Sequence, residues 1–464
     1  EILSGLVGSE MCIRDRALLL LEMIWITSGA RRKRRTGKGF RIFISKFVSV
    51  ALSALLIVGS VYASQGNSFL SNITSAFTQT RVIAVYAMKQ GKINKVEDLK
   101  GKTIGVENKT SVSSITDALA QVQEKIGKEP EKKNYSDYAD LADALYKGEV
   151  DCIVADQSYL GVLETNHESF EDETKVVYKM EVQEKLEAVT TKTDVTENPF
   201  IVYITGIDTY GSVNTISRAD VNLVVCVNPL EKQVLMVSVP RDTQVNLHKN
   251  GKMDKITHSA MYGINETIQT LEDFLDLKVN YYAKTNFSGI TNIIDALGGV
   301  EVDSPYEFTT LHGNYKIKKG VNELNGDQAL CFVRERYALP SGDFDRGKNQ
   351  QRLLKAMLKK AMSPKIITNY SNILAAVEGS FETDMSSDDI KSLVNMQLDD
   401  MANWEMFNVQ VTGDGAISYD TYSQKGKKTY ITIPYKKSIQ NIRKVIDKIE
   451  AGKKLTEADV KGLS

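Results

Sequence analysis

Apolar positions are distributed unevenly along the chain, and the first strong pattern is an uninterrupted apolar run at residues 42–63. Its only charged residue is Lys46, which lies near the start of the run. About 20 apolar residues are enough for an α-helix to cross the hydrocarbon core of a bilayer. The run therefore predicts a membrane-spanning helix.

The residues before this run predict how the helix is oriented. Residues 31–41 are rich in Lys and Arg, and positive charge beside a span is retained in the cytoplasm. The C-terminal bulk of the chain is therefore expected outside the cell.

Residues 17–30 are interpreted as the remnant of an earlier span, so that 17–63 forms a membrane anchor. A cleaved signal peptide is the alternative. Residues 1–16 show no period and are interpreted as an artefactual segment.

Between residues 80 and 195, short apolar runs alternate with segments of helical period. Residues 82–88, 103–106 and 151–156 have the composition of strands. Apolar residues recur at helical spacing between these runs, at Ile115, Leu119, Val122, Ile126, Leu141, Ala144 and Leu145. Such alternation is typical of crossover units around a largely parallel sheet. We therefore predict a small accessory α/β domain at 80–195.

Residues 196–450 predict a larger α/β domain, followed by a C-terminal tail at 451–464. Four segments have the composition of strands: 202–208, 221–227, 234–239 and 329–336. The Asn228-Pro229 turn predicts that the second and third of these form a hairpin. Helical spacing is found in four further segments, which begin near Met261, Ile290, Arg346 and Pro434. The expected architecture is a mixed sheet flanked by helices.

The composition limits the classes of function. The 464 residues are 42% hydrophobic and 25% charged, which is typical of a globular protein. Lys and Arg total 58 against 59 Asp and Glu, whereas nucleic-acid-binding proteins usually carry a basic excess. The four cysteines form no CxxC pair and the four histidines are scattered. Neither a zinc site nor a disulfide scaffold is therefore expected, and no nucleic acid is expected as a partner.

Charged side chains occur where the predicted strands begin and end. Asp208 closes the first strand of the larger domain, Asp220 opens the second, and Arg241 follows the third. Strand ends of open α/β sheets are common ligand sites. Taken singly, either aspartate could be a turn cap, and a surface salt bridge is the preferred explanation of any one arginine.

Further basic residues follow in the second half of this domain. Arg334 and Arg336 lie two apart on the predicted strand and would share one face. Arg346 and Gln350 lie four apart on the predicted helix and would also share a face. Guanidinium groups bind phosphate oxygens in pairs, and carboxylates hold Mg²⁺ beside substrate phosphates. The whole set therefore favours a site for a polyanion and a divalent cation.

The motif order along residues 196–450 closely resembles that of the LytR–CpsA–Psr family. The matching segments are GIDTYG, SRADVNLVVCVNP, VLMVSVPRDTQV, ITNIIDALGGVEVD, ALCFVRER and GDFDRGKNQQRLL. The resemblance implies a membrane-anchored enzyme of a Gram-positive envelope. Such an enzyme transfers a teichoic acid or capsular polysaccharide from an undecaprenyl-pyrophosphate carrier to peptidoglycan, forming a phosphodiester.

The resemblance also implies roles for individual residues. Asp208 and Asp220 would hold Mg²⁺, and Asp343 would lie beside the metal and help to activate the acceptor hydroxyl. The pyrophosphate would be held by Arg218, Arg241, Arg334, Arg336, Arg346 and Gln350. The implied catalytic set is Asp208, Asp220, Arg241, Arg334, Arg336 and Asp343. An apolar slot for the lipid would be lined by the helices that carry Ile290, Ile293, Leu297, Leu354 and Leu358.

The chain departs from the family pattern at two positions. Asn349 precedes the glutamine pair and Tyr210 follows Thr209, where many members carry arginine. Phosphate contact is therefore expected to depend more on Arg218, Arg241 and Arg346. Two alternatives stay open for the whole chain: an envelope-linked transcription attenuator, and a protein that binds or hydrolyses polyprenyl pyrophosphate.

A second resemblance concerns the accessory domain. Residues 96–112 and 138–161 resemble parts of an extracytoplasmic solute-binding protein. A solute clamp needs two lobes, and only about one lobe's length of chain is present. A structural or partner-docking module is therefore preferred over genuine solute binding.

Overall fold

The computed structural model describes three stretches of the chain, residues 78–209, 211–364 and 377–463. All three lie in one structural unit, Leu70–Ser464. The predicted artefactual segment 1–16 and the predicted membrane anchor 17–63 lie outside the described residues, as does Tyr210. Among the helices that are described, none has both the length and the apolar character needed to cross a bilayer.

The accessory domain is built on a five-stranded sheet. Its strands are β1 (Thr78–Met88), β2 (Thr103–Glu107), β3 (Glu131–Tyr135), β4 (Cys152–Asp156) and β5 (Thr174–Lys185). Their spatial order is β3-β2-β4-β1-β5. In this sheet β2 is parallel to β3 and β4, but β1 is antiparallel to both β4 and β5. The prediction of a largely parallel sheet is therefore wrong, because β1 pairs along its whole length with the long antiparallel strand β5.

Helices cover both faces of this sheet, as their periodicity predicted. They are α1 (Val112–Ile126), α2 (Tyr138–Tyr146), α3 (Leu160–Leu163) and α4 (Phe170–Glu173), with 3-10 turns at Val96–Leu99 and Gln157–Tyr159. Helix α1 packs Ile115 and Val122 on one face, and α2 packs Leu141 and Leu145 on the other. The second of these clusters also contains Met261, which belongs to the larger domain.

The larger domain contains a six-stranded mixed sheet and four two-stranded ones. Its strands are β6 (Phe200–Ile207), β7 (Ala219–Asn228), β8 (Gln233–Ser238), β9 (Gln244–Asn246), β10 (Met253–Lys255), β11 (Tyr281–Thr285), β12 (Val300–Ser304), β13 (Phe308–Thr309), β14 (Lys316–Ile317), β15 (Gly320–Leu324), β16 (Phe381–Thr383), β17 (Glu405–Gln410), β18 (Gly413–Ser418) and β19 (Thr429–Pro434). The main sheet has the order β16-β11-β6-β7-β8-β17. Strands β7 and β8 form the predicted antiparallel hairpin, and β11 and β17 run parallel to their neighbours β6 and β8.

Helices form a layer on each face of the main sheet. They are α5 (Ile256–Ser259), α6 (Ile264–Leu275), α7 (Phe287–Ala296), α8 (Gly326–Arg334), α9 (Asp343–Ala361), α10 (Ser387–Asp400), α11 (Lys436–Glu450) and α12 (Glu457–Val460), with 3-10 turns at Ala260–Tyr262 and Tyr422–Gln424. Helices α6 and α11 cover one face, in a core cluster that also takes in Leu455 and Val460 from the predicted tail 451–464. Helices α7, α8 and α9 pack with one another and with the β12–β15 pair around Phe332.

The prediction of a strand at 329–336 is wrong, because this segment is the body and end of helix α8. Asn325 and Gln328 form a capping box: the Asn325 side chain accepts a hydrogen bond from the Gln328 N–H (3.0 Å), and the Gln328 side chain accepts one from the Asn325 N–H (3.1 Å). Such a cap starts a helix. A short apolar run by itself does not distinguish a buried helix from a strand.

Candidate active site

The first part of the site lies where strands β6 and β7 separate. Asp208 directly follows β6, and Asp220 is the second residue of β7. The pairing of these strands shifts register between Gly206 and Ile207, so the two aspartates lie at an irregular end of the sheet. Each carboxylate is bound by an arginine: Arg218 donates to Asp208 at 2.9 Å and Arg241 donates to Asp220 at 2.7 Å.

The two carboxylates differ in how readily they lose a proton. Burial would raise the pKa of Asp220, but the charges of Arg241, Arg346 and Arg218 outweigh burial and lower this pKa to about 2. Burial and the neighbouring negative charge of Asp220 raise the pKa of Asp208, against the attraction of Arg218. The site therefore holds one strongly acidic carboxylate and one whose negative charge is less well compensated.

Helices α8 and α9 supply the remaining charges. Arg334 is the last residue of α8, and Arg336 follows it after a break in the helix. Arg346 lies in the first turns of α9 and pairs with Asp343, with 2.6 Å between Nη2 and Oδ1. Burial raises the pKa of Asp343, although the charge of Arg346 opposes this change. Arg334 and Arg336 therefore reach the site from the end of a helix, and not from the face of a strand.

A cavity of about 570 Å³ connects these charges to an apolar interior between the sheet and helices α7, α8 and α9. Its polar lining includes Asp208, Asp220, Arg241, Arg334, Arg336, Arg346 and Gln350. Its apolar lining includes Ile204, Leu223, Ile290, Ile293, Leu330, Val333, Leu353, Leu354, Met357 and Phe381. The structure thus brings together seven of the predicted site residues around one space. Arg218 and Asp343 are not among its lining residues, but each pairs with one of them, Arg218 with Asp208 and Asp343 with Arg346.

The predicted slot residues are only partly correct. Ile290, Ile293 and Leu354 line the cavity, but Leu297 and Leu358 are not among its lining residues. The prediction followed helical spacing alone, which identifies the apolar face of a helix but not the part of that face that packs against other helices.

Two aromatic rings that the sequence analysis missed hold the arginines at the mouth of the cavity. The guanidinium of Arg334 lies over the ring of Phe287, 4.2 Å from its centroid, and that of Arg336 lies over Tyr337 at 4.7 Å. Arg336 also donates to the Tyr337 hydroxyl at 2.6 Å. Phe287 starts helix α7, far from Arg334 in sequence, so that no local motif indicated this contact.

The side chains of Asn349, Gln350 and Gln351 lie in different surroundings. The buried amide of Gln351 donates to the backbone carbonyls of Met236 and Val409, at 2.9 and 2.7 Å. Gln350, by contrast, lines the cavity. Asn349 is buried and accepts a hydrogen bond from Arg352 at 2.8 Å. Gln350 therefore lines the cavity, whereas Gln351 is hydrogen-bonded to the sheet.

Two carboxylates of the site, those of Asp208 and Asp220, are candidates for binding a metal ion. Within the described residues, no cluster of three or more His, Cys, Asp or Glu side chains is arranged to hold a metal ion. Mg²⁺, however, is usually held by one or two carboxylates together with substrate phosphates. Asp220 Oδ1 is buried and has no hydrogen-bond partner among the described residues. Asp208 and Asp220 therefore fit a magnesium ion that is completed by the substrate.

The site is a cavity in a layered α/β domain whose lining combines arginines and two carboxylates with apolar side chains. The sequence profile of the LytR_cpsA_psr family matches residues 163–443, and the chain belongs to this family. A second profile, described as NMT1/THI5 like, matches residues 62–198, which include the accessory domain.

The chain is also similar to two curated relatives and to a solved structure. The chain is 35% identical, over 47% of its length and 70% of the relative, to the polyisoprenyl-teichoic acid–peptidoglycan teichoic acid transferase TagU of Bacillus cereus (strain AH820). It is 36% identical to TagU of Enterococcus faecalis, over 42% of its length and 65% of the relative. The crystal structure of B. subtilis TagU aligns with 56% of this chain and 99% of its own, at 30% identity and a TM-score of 0.43.

Proposed function

We propose that the protein is a membrane-anchored phosphotransferase that attaches an anionic glycopolymer to peptidoglycan. The donor is the glycopolymer linked to polyprenyl pyrophosphate. The supporting observation is one cavity whose lining combines apolar side chains with a group of arginines, which fits a diphosphate on an apolar chain. The names of the TagU relatives give the same donor and acceptor classes. The predicted anchor 17–63 would keep the domain at the outer face of the membrane, where such a lipid is presented.

The reaction forms one bond and breaks one. The oxygen of a peptidoglycan hydroxyl bonds to the phosphorus next to the glycopolymer, and the bond from this phosphorus to the bridging oxygen breaks. The products are a phosphodiester and polyprenyl monophosphate, which leaves with the bridging oxygen. Asp343, a buried carboxylate whose pKa is raised, would take up the hydroxyl proton through one water molecule, because it contacts the lining residue Arg346 and is not itself part of the cavity lining.

The arginines stabilise the charge of the diphosphate during this transfer. Arg241, Arg334, Arg336 and Arg346 line the cavity, and Gln350 adds an uncharged polar group. Phosphoryl transfer depends mainly on positioning and on neutralising charge, which fixed guanidiniums provide. Asp208 and Asp220 would hold Mg²⁺, which supplies further positive charge beside the phosphates when it is bound.

The decisive experiment uses the full chain in detergent with a lipid-linked glycopolymer, a peptidoglycan oligomer and Mg²⁺. Mass spectrometry should detect the glycopolymer–peptidoglycan phosphodiester together with polyprenyl monophosphate. Removal of Mg²⁺ with EDTA should abolish both products. The variant Asp420→Asn, which changes an exposed aspartate outside the cavity lining, is the control and should retain turnover.

Product identity also separates transfer from its nearest alternative. A polyprenyl-pyrophosphate hydrolase would use the same residues with water as the acceptor, and would release a glycopolymer phosphate that is not joined to peptidoglycan. Folded wild-type protein that forms no phosphodiester with any polyprenyl-linked donor would show that the proposed function is wrong.

A further inference from the structure

The accessory domain holds the backbone of the loop that carries Arg218. Thr80, in strand β1, donates its N–H to the carbonyl of Asn214 at 2.9 Å, and its carbonyl accepts the N–H of Ile216 at 2.9 Å. These bonds form a parallel bridge between β1 and the loop from β6 to β7. The backbone two residues before Arg218 is therefore fixed by a strand of the other domain.

The accessory domain also contacts the Arg218 side chain directly. A Cβ atom placed on Gly161, in helix α3, would lie 1.9 Å from Nη1 and 2.5 Å from Cζ of Arg218. The guanidinium therefore rests on the bare backbone of residue 161, in a space that any larger residue would fill. Gly161 is not in the left-handed region of backbone conformation, so alanine would fit its backbone without strain.

A carboxylate of the accessory domain completes the surroundings of this arginine. Glu164 Oε2 lies 3.9 Å from Arg218 Nη2, the same atom that donates to Asp208 at 2.9 Å. Both side chains are mostly buried, with 18% of Arg218 and 25% of Glu164 exposed. Arg218 is thus contacted from three directions: by Asp208, by the backbone of Gly161 and by the carboxyl group of Glu164.

We propose that the accessory domain is an integral part of the diphosphate site, in which Gly161 and Glu164 are positioning residues that hold Arg218 against Asp208. This inference rests on the proposed function for the identity of the ligand. A long arginine side chain loses up to about 2 kcal/mol of rotamer freedom when it is fixed, so an arginine that is already held in place fixes and neutralises Asp208, which lines the cavity, at a lower cost. The domain that resembles a solute-binding protein therefore acts here by shaping a neighbouring site.

The test measures binding of inorganic pyrophosphate to the full chain by titration calorimetry, together with KM and kcat for the lipid-linked donor. Gly161→Ala should weaken pyrophosphate binding and raise KM about tenfold, the usual effect of losing one hydrogen bond to a charged group, with a smaller change in kcat. Glu164→Gln should change both quantities in the same direction. Glu168→Gln, an exposed glutamate of the same domain, is the matched control and should bind as the wild type does.

A double-mutant cycle separates positioning from a general structural effect. In an Arg218→Ala background, Gly161→Ala should cause no further loss of pyrophosphate affinity, because the residue it acts through is gone. Wild-type affinity in both single variants, or an equal loss from Gly161→Ala with and without Arg218, would overturn the inference. Wild-type protein that binds pyrophosphate but transfers nothing would refute the proposed function alone, whereas wild-type protein that binds none would refute both.

Discussion

Replacing Asp220 by asparagine removes one negative charge from the site and keeps the size of the side chain. Asp220 accepts a 2.7 Å hydrogen bond from Arg241, and the surrounding guanidiniums lower its pKa from 3.8 to about 2 against the effect of burial. At about 1.4 kcal/mol for each pKa unit, this difference corresponds to roughly 2 kcal/mol of folding stability at neutral pH. We therefore expect the free energy of unfolding of Asp220→Asn to be about 2 kcal/mol lower at pH 7.

Urea denaturation of the purified full chain at two pH values measures this effect. Because the pKa of Asp220 is lowered in the folded state, its contribution is present above about pH 4 and is lost as the pH falls through about 2. The deficit of the variant should thus be smaller at pH 3 than at pH 7. Asp420→Asn, at an exposed position, should change stability by less than about 0.5 kcal/mol at either pH. If Asp220→Asn matches or exceeds the wild type in stability at pH 7, the arginines do not stabilise this carboxylate.

Two further predictions concern neighbouring contacts. Burial raises the pKa of Glu164 from 4.5 to about 7, so the wild type should lose stability as the pH rises through this window. Glu164→Gln should therefore be more stable than the wild type at pH 8, by up to about 3 kcal/mol, but not at pH 4. If the thermal melting profiles of the variant and the wild type coincide at both pH values, this prediction is wrong. Phe287→Ala removes the ring beneath Arg334 and should raise KM for the lipid-linked donor about threefold to thirtyfold in a steady-state assay. Phe287→Tyr keeps an aromatic ring and should retain the wild-type KM in the same assay.

The part of the site that the sequence predicts well is the part built on strands β6, β7 and β8. Their buried runs are bounded by turn residues, and Asp208, Asp220 and Arg241 lie directly at the ends of those runs. A strand restricts the backbone of the residue next to its end, so the position of that side chain follows from the strand itself. The cluster of the two aspartates with arginines was predictable for this reason.

The assignment of Arg334 and Arg336 to one strand failed for an equally specific reason. Five apolar residues in a row fit a buried helix or a buried strand, and the residues that decide, Asn325 and Gln328, lie upstream of the run. The contact of Gly161 with Arg218 could not be predicted at all. It depends on the fit of a side chain against the backbone of a different domain. No motif of the sequence contains both residues.

The position of Gln351 has a consequence for how mutations in its motif should be interpreted. Its amide supplies two donors to carbonyls of two adjacent strands, β8 and the edge strand β17, and so fastens α9 to one side of a sheet whose central strands, β6 and β7, carry Asp208 and Asp220 at their ends. Glutamate has nearly the same shape but would offer those carbonyls a charged acceptor in place of a donor. An inactive Gln351→Glu variant would therefore report a displaced helix and not a lost chemical step, although the preceding residue, Gln350, lines the cavity.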